Sequence, residues 1–198
     1  GLKELTAYRF RHLVEIMGML RGPDGCPWDR EQDHFSLKQY LIEETYEVLE
    51  AIDLEDMDKL VEELGDVMLQ VVFHAQIAQE RGEFGIADVI TGICKKMIDR
   101  HTHIFGDEKA STSEEVLDNW EAIKKQEKGF ESHTQVLRDI PSNLPALMRS
   151  YKVQKKAAQI GFDWDVIEDA LEKVEEELSE LKEVYNSGME DKIKEELG

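Results

Sequence analysis

Apolar residues recur at helical spacing along most of the chain. One such stripe consists of Leu37, Leu41, Val48 and Ile52. Spacings of three, four and seven residues place side chains on one face of an α-helix. The chain has only four prolines and no long run in which β-branched and polar residues alternate. The pattern therefore predicts an all-α fold.

Turn signals divide this pattern into helices. A first helix is expected over residues 2–20, and the stretch 21–29, with paired Gly and Pro residues, ends it. Further helices are expected from a Ser36 cap to about residue 52, over 59–81, over 86–103, and from a Ser113 cap to about residue 128. The first domain is therefore expected to span 1–128, residues 129–145 to form a linker, and 146–198 to begin a second helical domain.

The second domain repeats the first in sequence. At a shift of 133 residues, the acidic positions 43, 44, 47 and 63 fall on Glu176, Glu177, Glu180 and Glu196. Lys59, Leu64 and Gly65 also find identical partners, which Glu-rich composition alone would not produce. The pattern indicates a tandem duplication. The second copy stops one position before the counterpart of Asp66, so we expect it to be truncated and the natural protein to continue.

Five acidic residues lie where two helices would bring carboxylates together. Glu43, Glu44 and Glu47 lie in one predicted helix, and Glu63 and Asp66 lie in the next. Residues three or four apart share a helix face, so Glu44 and Glu47 project together, as do Glu63 and Asp66. An inward carboxylate without a partner costs about 1–3 kcal/mol, and four facing each other would repel. Hard oxygen ligands suit Mg²⁺ or Mn²⁺, so the array predicts a metal site.

The overall charge bears on the predicted metal site and on which molecules the chain can bind. The chain holds 44 acidic and 24 basic residues, for a formal charge of -20. Glu-rich helices produce such pairs by chance on solvated faces, and Glu114 with Glu115 is interpreted in that way. The charge repels nucleic acid and anionic lipid, so a phosphate substrate is expected to arrive with magnesium. No stretch approaches the roughly 20 apolar residues of a membrane span, and no signal peptide is evident, so a cytoplasmic protein is expected.

The acidic positions and their flanks match one protein family. Residues 43–47 read Glu-Glu-Thr-Tyr-Glu and residues 63–66 read Glu-Leu-Gly-Asp, which fits a Glu-Glu-x-x-Glu and Glu-x-x-Asp signature. Residues 26–34, 100–106 and 120–124 are similar to the same family. The chain resembles the MazG proteins of the all-α nucleoside triphosphate pyrophosphohydrolase superfamily. The resemblance implies two tandem helical bundles, each completed by dimerisation, in a homodimer or higher homo-oligomer.

The resemblance also implies an activity and its residues. The activity is Mg²⁺-dependent hydrolysis of ribo- or deoxynucleoside triphosphates to monophosphate and pyrophosphate, in the house-cleaning of the nucleotide pool. The implied metal ligands are Glu44, Glu47, Glu63 and Asp66, with Glu177, Glu180 and Glu196 in the second copy. Glu43 and Glu47 are the candidate catalytic bases, and Lys59 corresponds to a phosphate-contacting lysine. Trp120 and Lys124 match a position near the nucleotide.

Some residues keep two interpretations at this stage. Lys96 and Arg100 lie four apart and can clamp a triphosphate, or can form a solvated basic face. Trp120 can stack on a base or belong to the core. Glu31 and His34 fit the Glu-x-x-His motif of di-iron bundles, but the motif occurs singly and precedes its helix. A non-enzymatic helical dimer that binds nucleotides or a protein through an acidic face is the remaining alternative.

Overall fold

The structure is a computed structural model that describes residues 2–130, 132–164, 166–187 and 191–193. The predicted all-α fold is confirmed, because the described residues form helices and no strand. After a short 3₁₀ turn at Leu2–Glu4, the helices are α1 Phe10–Arg21, α2 Pro27–Glu31, α3 Lys38–Asp53, α4 Met57–Glu80, α5 Ile86–Arg100, α6 Thr102–Phe105, α7 Ser113–Glu127, α8 His133–Arg138, α9 Ala146–Ala158 and α10 Ile167–Ser187. In this part of the chain, no helix is long and apolar enough to cross a bilayer.

The chain divides into two compact units, Gly1–Val116 and Leu117–Gly198, and the division falls inside α7. The first unit has a small apolar core centred on α4. Its buried members are Met17, Leu37, Val72, Phe73 and Ile77. In the second unit, ion pairs join Glu121 to Lys156 and Lys128 to Asp139. The domain limits expected from the sequence, the tandem duplication and the dimer stay predictions.

The helix that was expected from residue 2 begins instead at Phe10. Residues 2–4 form a separate 3₁₀ turn, and the Tyr8 hydroxyl donates a hydrogen bond to the Leu2 carbonyl at 3.0 Å. The His12 Nδ1 atom accepts from the Arg9 amide at 3.1 Å. This bond satisfies a backbone donor that has no partner within a helix, and it marks the helix start.

The expected Ser36 cap is also wrong, and α3 begins at Lys38. The Asp33 carboxylate accepts hydrogen bonds from the amides of Phe35 and Ser36, both at 2.8 Å. The Ser36 hydroxyl donates to the Gln32 side chain at 2.8 Å instead of capping the helix. An aspartate that bonds the amides two and three residues ahead forms a turn of its own, which competes with a helix start at Ser36.

Other boundaries move for similar local reasons. Thr112, not Ser113, caps α7, because its hydroxyl accepts from the Glu115 amide at 3.2 Å. The expected helix over 86–103 is interrupted at His101, whose φ of -108° and ψ of 56° are not helical. Two segments that were expected to be turn or linker contain short helices, α2 and α8. Pro27 occupies a first-turn position of α2, where its missing amide costs nothing.

Candidate metal and substrate site

The hairpin of α3 and α4 positions the acidic residues. Asp56 accepts a hydrogen bond from the Lys59 amide at 3.0 Å and so caps α4 immediately after a short turn. The two helices run antiparallel from this turn and pack against each other. Positions equally far from the turn therefore face each other, which sets Glu47 near Glu63 and Glu44 near Asp66.

Three of the four predicted metal ligands form a compact cluster. One carboxylate oxygen from each of Glu44, Glu63 and Asp66 lies within 4.8 Å of the other two. Glu63 is only 7% exposed, and the other two residues are half-buried. Three carboxylates this close repel one another when all are ionised.

Glu47 lies beside this cluster, on the exposed side of α3. Burial raises the pKa of Glu44, and the neighbouring Asp66 and Glu47 carboxylates raise it further. The pKa of Glu63 is also raised, first by desolvation and then by repulsion from Glu47, which also shares a hydrogen bond with it. Glu47 thus interacts with acids on both helices, and all four predicted ligands meet in one region.

The donor set fits a hard divalent cation. Oxygen ligands lie about 2.0–2.1 Å from Mg²⁺, so two ligands of one ion are at most about 4.2 Å apart. The three carboxylate oxygens lie within 4.8 Å of one another, which is close to this separation. A bound cation would remove the repulsion that raises the pKa values of Glu44 and Glu63. Among the described residues, no other group of three or more acidic, histidine or cysteine side chains meets this distance limit.

Glu43 does not join the cluster. Its side chain is exposed on α3 and accepts a hydrogen bond from Gln39 at 2.8 Å. Neighbouring residues on a helix are about 100° apart, so Glu43 and Glu44 point in different directions. A base role for Glu43 remains a prediction.

Lys59 lies at the edge of the cluster and is held by another acid. Its ammonium group forms an ion pair with Glu50. This hydrogen bond raises the pKa of Lys59, and the Glu63 and Glu47 carboxylates also raise it. The lysine is therefore close enough to the acidic cluster to interact with a charged ligand bound there, and Glu50 fixes its position.

The other predicted substrate contacts lie on two helices, α5 and α7. On α5, Lys96 is exposed and Arg100 is only 8% exposed, so these two residues do not form a uniformly solvated face. Trp120 and Lys124 lie half-buried on α7 in the second unit. Their roles in substrate binding stay predictions.

The second-copy ligands are only partly described. Glu177 and Glu180 are exposed on α10, and Lys173 forms ion pairs with Glu176 at 2.9 Å and Glu177 at 3.1 Å. The predicted ligand Glu196 lies outside the described residues. A metal site in the second copy therefore remains a prediction.

Two polar contacts near this hairpin were not anticipated from the sequence. Arg21 on α1 makes a bidentate ion pair with Glu80 on α4, and it also donates to the carbonyls of Asp29 and Gln32. His34, considered above as a di-iron ligand, instead contacts His74 through their Nδ1 atoms at 2.8 Å. Contacts between residues 40 and 59 positions apart leave no periodic signal in the sequence.

Comparison with known proteins agrees with this geometry. The MazG nucleotide pyrophosphohydrolase domain matches residues 32–105, which include the complete acidic cluster. A Thermotoga maritima protein named nucleoside triphosphate pyrophosphohydrolase/pyrophosphatase MazG is 53% identical over 88% of this chain and 66% of its own length. An Escherichia coli K12 protein named nucleoside triphosphate pyrophosphohydrolase is 47% identical over 94% of this chain and 72% of its own length.

The similarity also extends to a larger protein. The Bacillus subtilis protein YabN is 53% identical over 77% of this chain, which covers only 31% of YabN. The chain thus spans about two thirds of the Thermotoga relative and a smaller part of YabN. The identity to the Escherichia coli protein extends along most of both sequences. The chain belongs to the MazG family of nucleotide pyrophosphohydrolases.

Proposed function

We propose that this chain hydrolyses ribo- or deoxynucleoside triphosphates to nucleoside monophosphate and pyrophosphate, in a reaction that requires Mg²⁺ or Mn²⁺. The observation that carries the proposal is the cluster of Glu44, Glu63 and Asp66, with Glu47 beside it. The names of the Thermotoga and Escherichia relatives support the same reaction.

Glu44, Glu47, Glu63 and Asp66 would hold the cation. A bound divalent cation supplies neutralising charge to the phosphate oxygens and favours ionisation of water. Glu47 would take a proton from the water, and its exposed carboxylate beside the cluster supports this role. In the proposed reaction, water oxygen bonds to the α-phosphorus as the bond from that phosphorus to the bridging oxygen breaks. The proton passes to Glu47, or to Glu43 in the alternative assignment, and pyrophosphate leaves.

Basic and aromatic residues would orient the substrate. Lys59 would attract the triphosphate, because it already interacts with the acids of the cluster. Lys96 and Arg100 would bind the terminal phosphates, where the guanidinium group offers paired hydrogen-bond donors. Trp120 would stack on the base, and Lys124 would contact the nucleotide.

Product analysis in ¹⁸O-labelled water tests the reaction. Attack at the α-phosphorus places the label in the monophosphate, and pyrophosphate appears in equal amount. Addition of excess EDTA should stop both products. Orthophosphate as the first product, or label in the pyrophosphate, would refute the proposed reaction. Nucleotide binding with no turnover would instead support the non-enzymatic alternative.

We further propose that the functional form is a homodimer. Large apolar side chains remain exposed on α3 and α4, which already pack against each other. They include Leu49, Ile52, Val61, Leu64 and Met68, each at least 46% exposed. A patch of this kind favours association with a second copy. The mass in solution, measured by light scattering at micromolar concentration, should be twice the monomer mass of 22.9 kDa. A monomeric mass would contradict the dimer.

The remaining proposals concern the second copy and the location and role of the protein in the cell. Residues 146–198 are proposed to begin a second MazG-like bundle, with Glu177, Glu180 and Glu196 in the ligand positions. The cytoplasm is the proposed location, because nucleoside triphosphates are its substrates, and house-cleaning of the nucleotide pool is the proposed role. Separate substitutions in the two copies, scored for pyrophosphate release, would show which copy is active.

A further inference from the structure

A hydrogen-bonded pair of histidines joins two distant parts of the first unit. His34 lies in the connection between α2 and α3, and His74 lies on α4. Their Nδ1 atoms are 2.8 Å apart, and the rings stack with centroids 5.2 Å apart and planes at 10°. A hydrogen bond between two such nitrogens needs one proton, so one ring donates and the other accepts.

The connection that carries His34 is short and leads directly into α3. Leu37, at its end, is almost fully buried in the core of the unit. Near its beginning, the Gln32 carbonyl accepts a hydrogen bond from Arg21 at 3.1 Å. The histidine pair adds a side-chain bond between the middle of this connection and α4. It therefore helps to set where α3 starts against α4, the helix that carries two of the clustered acids.

The pair can bind a first proton without losing its bond. A singly charged pair keeps one donor and one acceptor, and the protonated ring donates to the neutral one. A second proton places hydrogen on both facing nitrogens, and two positive rings then repel. The second protonation therefore breaks the contact.

The environment of His74 also disfavours the second protonation. Burial lowers the pKa of His74, and the charge of His34 lowers it further. The other charged groups around the connection are Asp33, beside His34, Arg81, whose charge acts on Asp33, and Arg21, which donates to the Gln32 carbonyl and pairs with Glu80. The Asp33 carboxylate accepts hydrogen bonds from the Phe35 and Ser36 amides through Oδ1, and its charge interacts with that of His34.

We propose that His34 and His74 form a proton-operated clasp, which fastens the connection between α2 and α3 to α4 and opens when both rings are protonated. The inference goes beyond the proposed reaction and holds whether or not the carboxylates turn over a nucleotide. The pKa of His74 is lower in the folded state than in the unfolded state. The stability that the histidine pair contributes is therefore complete above about pH 6.5 and is lost as the pH falls through the folded pKa of His74.

Hydrogen exchange of the connection tests the clasp most directly. The amide protection factors of residues 33–37, corrected for the intrinsic pH dependence, should fall by up to about tenfold per pH unit between about pH 6.5 and the lowered pKa of His74, and should level off below it. The double variant His34→Phe/His74→Phe keeps two stacked rings and removes both titrating groups, so its protection factors should not change with pH. His133→Phe, at an exposed position on α8, is the control and should behave like the wild type.

If the double variant does not fold, NMR of the ring nitrogens in the wild-type protein tests the hydrogen bond between the two histidines independently. Near pH 7.5, one of the two rings should carry its proton on Nδ1 and the other should not. Protection factors of residues 33–37 that do not fall towards pH 5 would overturn the proposal. So would two rings that both leave Nδ1 unprotonated at pH 7.5.

Discussion

Replacement of Glu44 by Gln is expected to stabilise the metal-free protein while it removes the response to magnesium. Glu44 lies within 4.8 Å of Asp66, and repulsion at that distance is about 1 kcal/mol in water and about 3.5 kcal/mol at an effective dielectric constant of 20. Both residues are half exposed, so the lower figure applies. Relief of about 1 kcal/mol corresponds to a rise in Tm of roughly 4 °C.

With magnesium, the wild-type protein should become more stable than the Glu44→Gln variant. A ligand present at 100 times its Kd stabilises the folded state by about 2.7 kcal/mol. Wild-type protein should therefore gain roughly 10 °C in Tm, whereas Glu44→Gln, with one ligand oxygen replaced by an amide, should gain little. The assay is thermal unfolding with EDTA and with excess Mg²⁺.

The control must remove the same charge from a place outside the cluster. Glu15→Gln on α1 is suitable because Glu15 is exposed and lies on another helix. Glu50→Gln is not suitable, because Glu50 holds Lys59 beside the site. A Glu44→Gln protein that keeps the full magnesium shift would refute the assignment of Glu44 as a ligand. Equal responses of the Glu44 and Glu15 variants would indicate a general charge effect.

Three further outcomes follow from the structure. Magnesium binding at mildly acidic pH should release protons, because Glu44 and Glu63 have raised pKa values, and calorimetry in buffers of different ionisation enthalpy should show fewer released protons for Glu44→Gln. Lys59→Met should raise the KM for nucleoside triphosphate about tenfold at little cost in stability, and an unchanged KM would argue against a phosphate contact. Arg21→Met should lower the free energy of unfolding by about 2–3 kcal/mol in urea, because it removes the ion pair with Glu80, which still accepts from Gln76, and takes the Arg21 donor from the Asp29 and Gln32 carbonyls. The Glu80 pKa is lowered chiefly by Arg21, so this loss should shrink as the pH falls through that pKa.

Local spacing was enough to predict the helical fold and the acidic cluster. The three- and four-residue periodicity of apolar positions indicates helices wherever it persists, and α4 follows it for 24 residues. Glu44 and Glu47 share a face for the same reason, as do Glu63 and Asp66. A short turn between two long helices leaves an antiparallel hairpin as the simplest packing. The convergence of four acids thus follows from spacing and turn length together.

The helix boundaries were less predictable, because several side chains compete for the same backbone groups. Ser36 and Asp33 are both good capping residues, and only the folded backbone shows that Asp33 binds the two amides. Thr112 and Ser113 present the same choice at α7. The free-energy difference between two neighbouring capping residues is small, and it depends on the backbone conformation just before the helix.

The tertiary structure alone decided which polar groups meet across the core. The sequence contains Arg21, Glu80, His34 and His74 without any spacing that links them, and the pairs are 59 and 40 residues apart. Such contacts depend on how α1, α4 and the connection before α3 pack together, and packing is set by apolar burial summed over many residues. Helical periodicity specifies which face of each helix is buried, but not which polar side chains at the edges of those faces become neighbours.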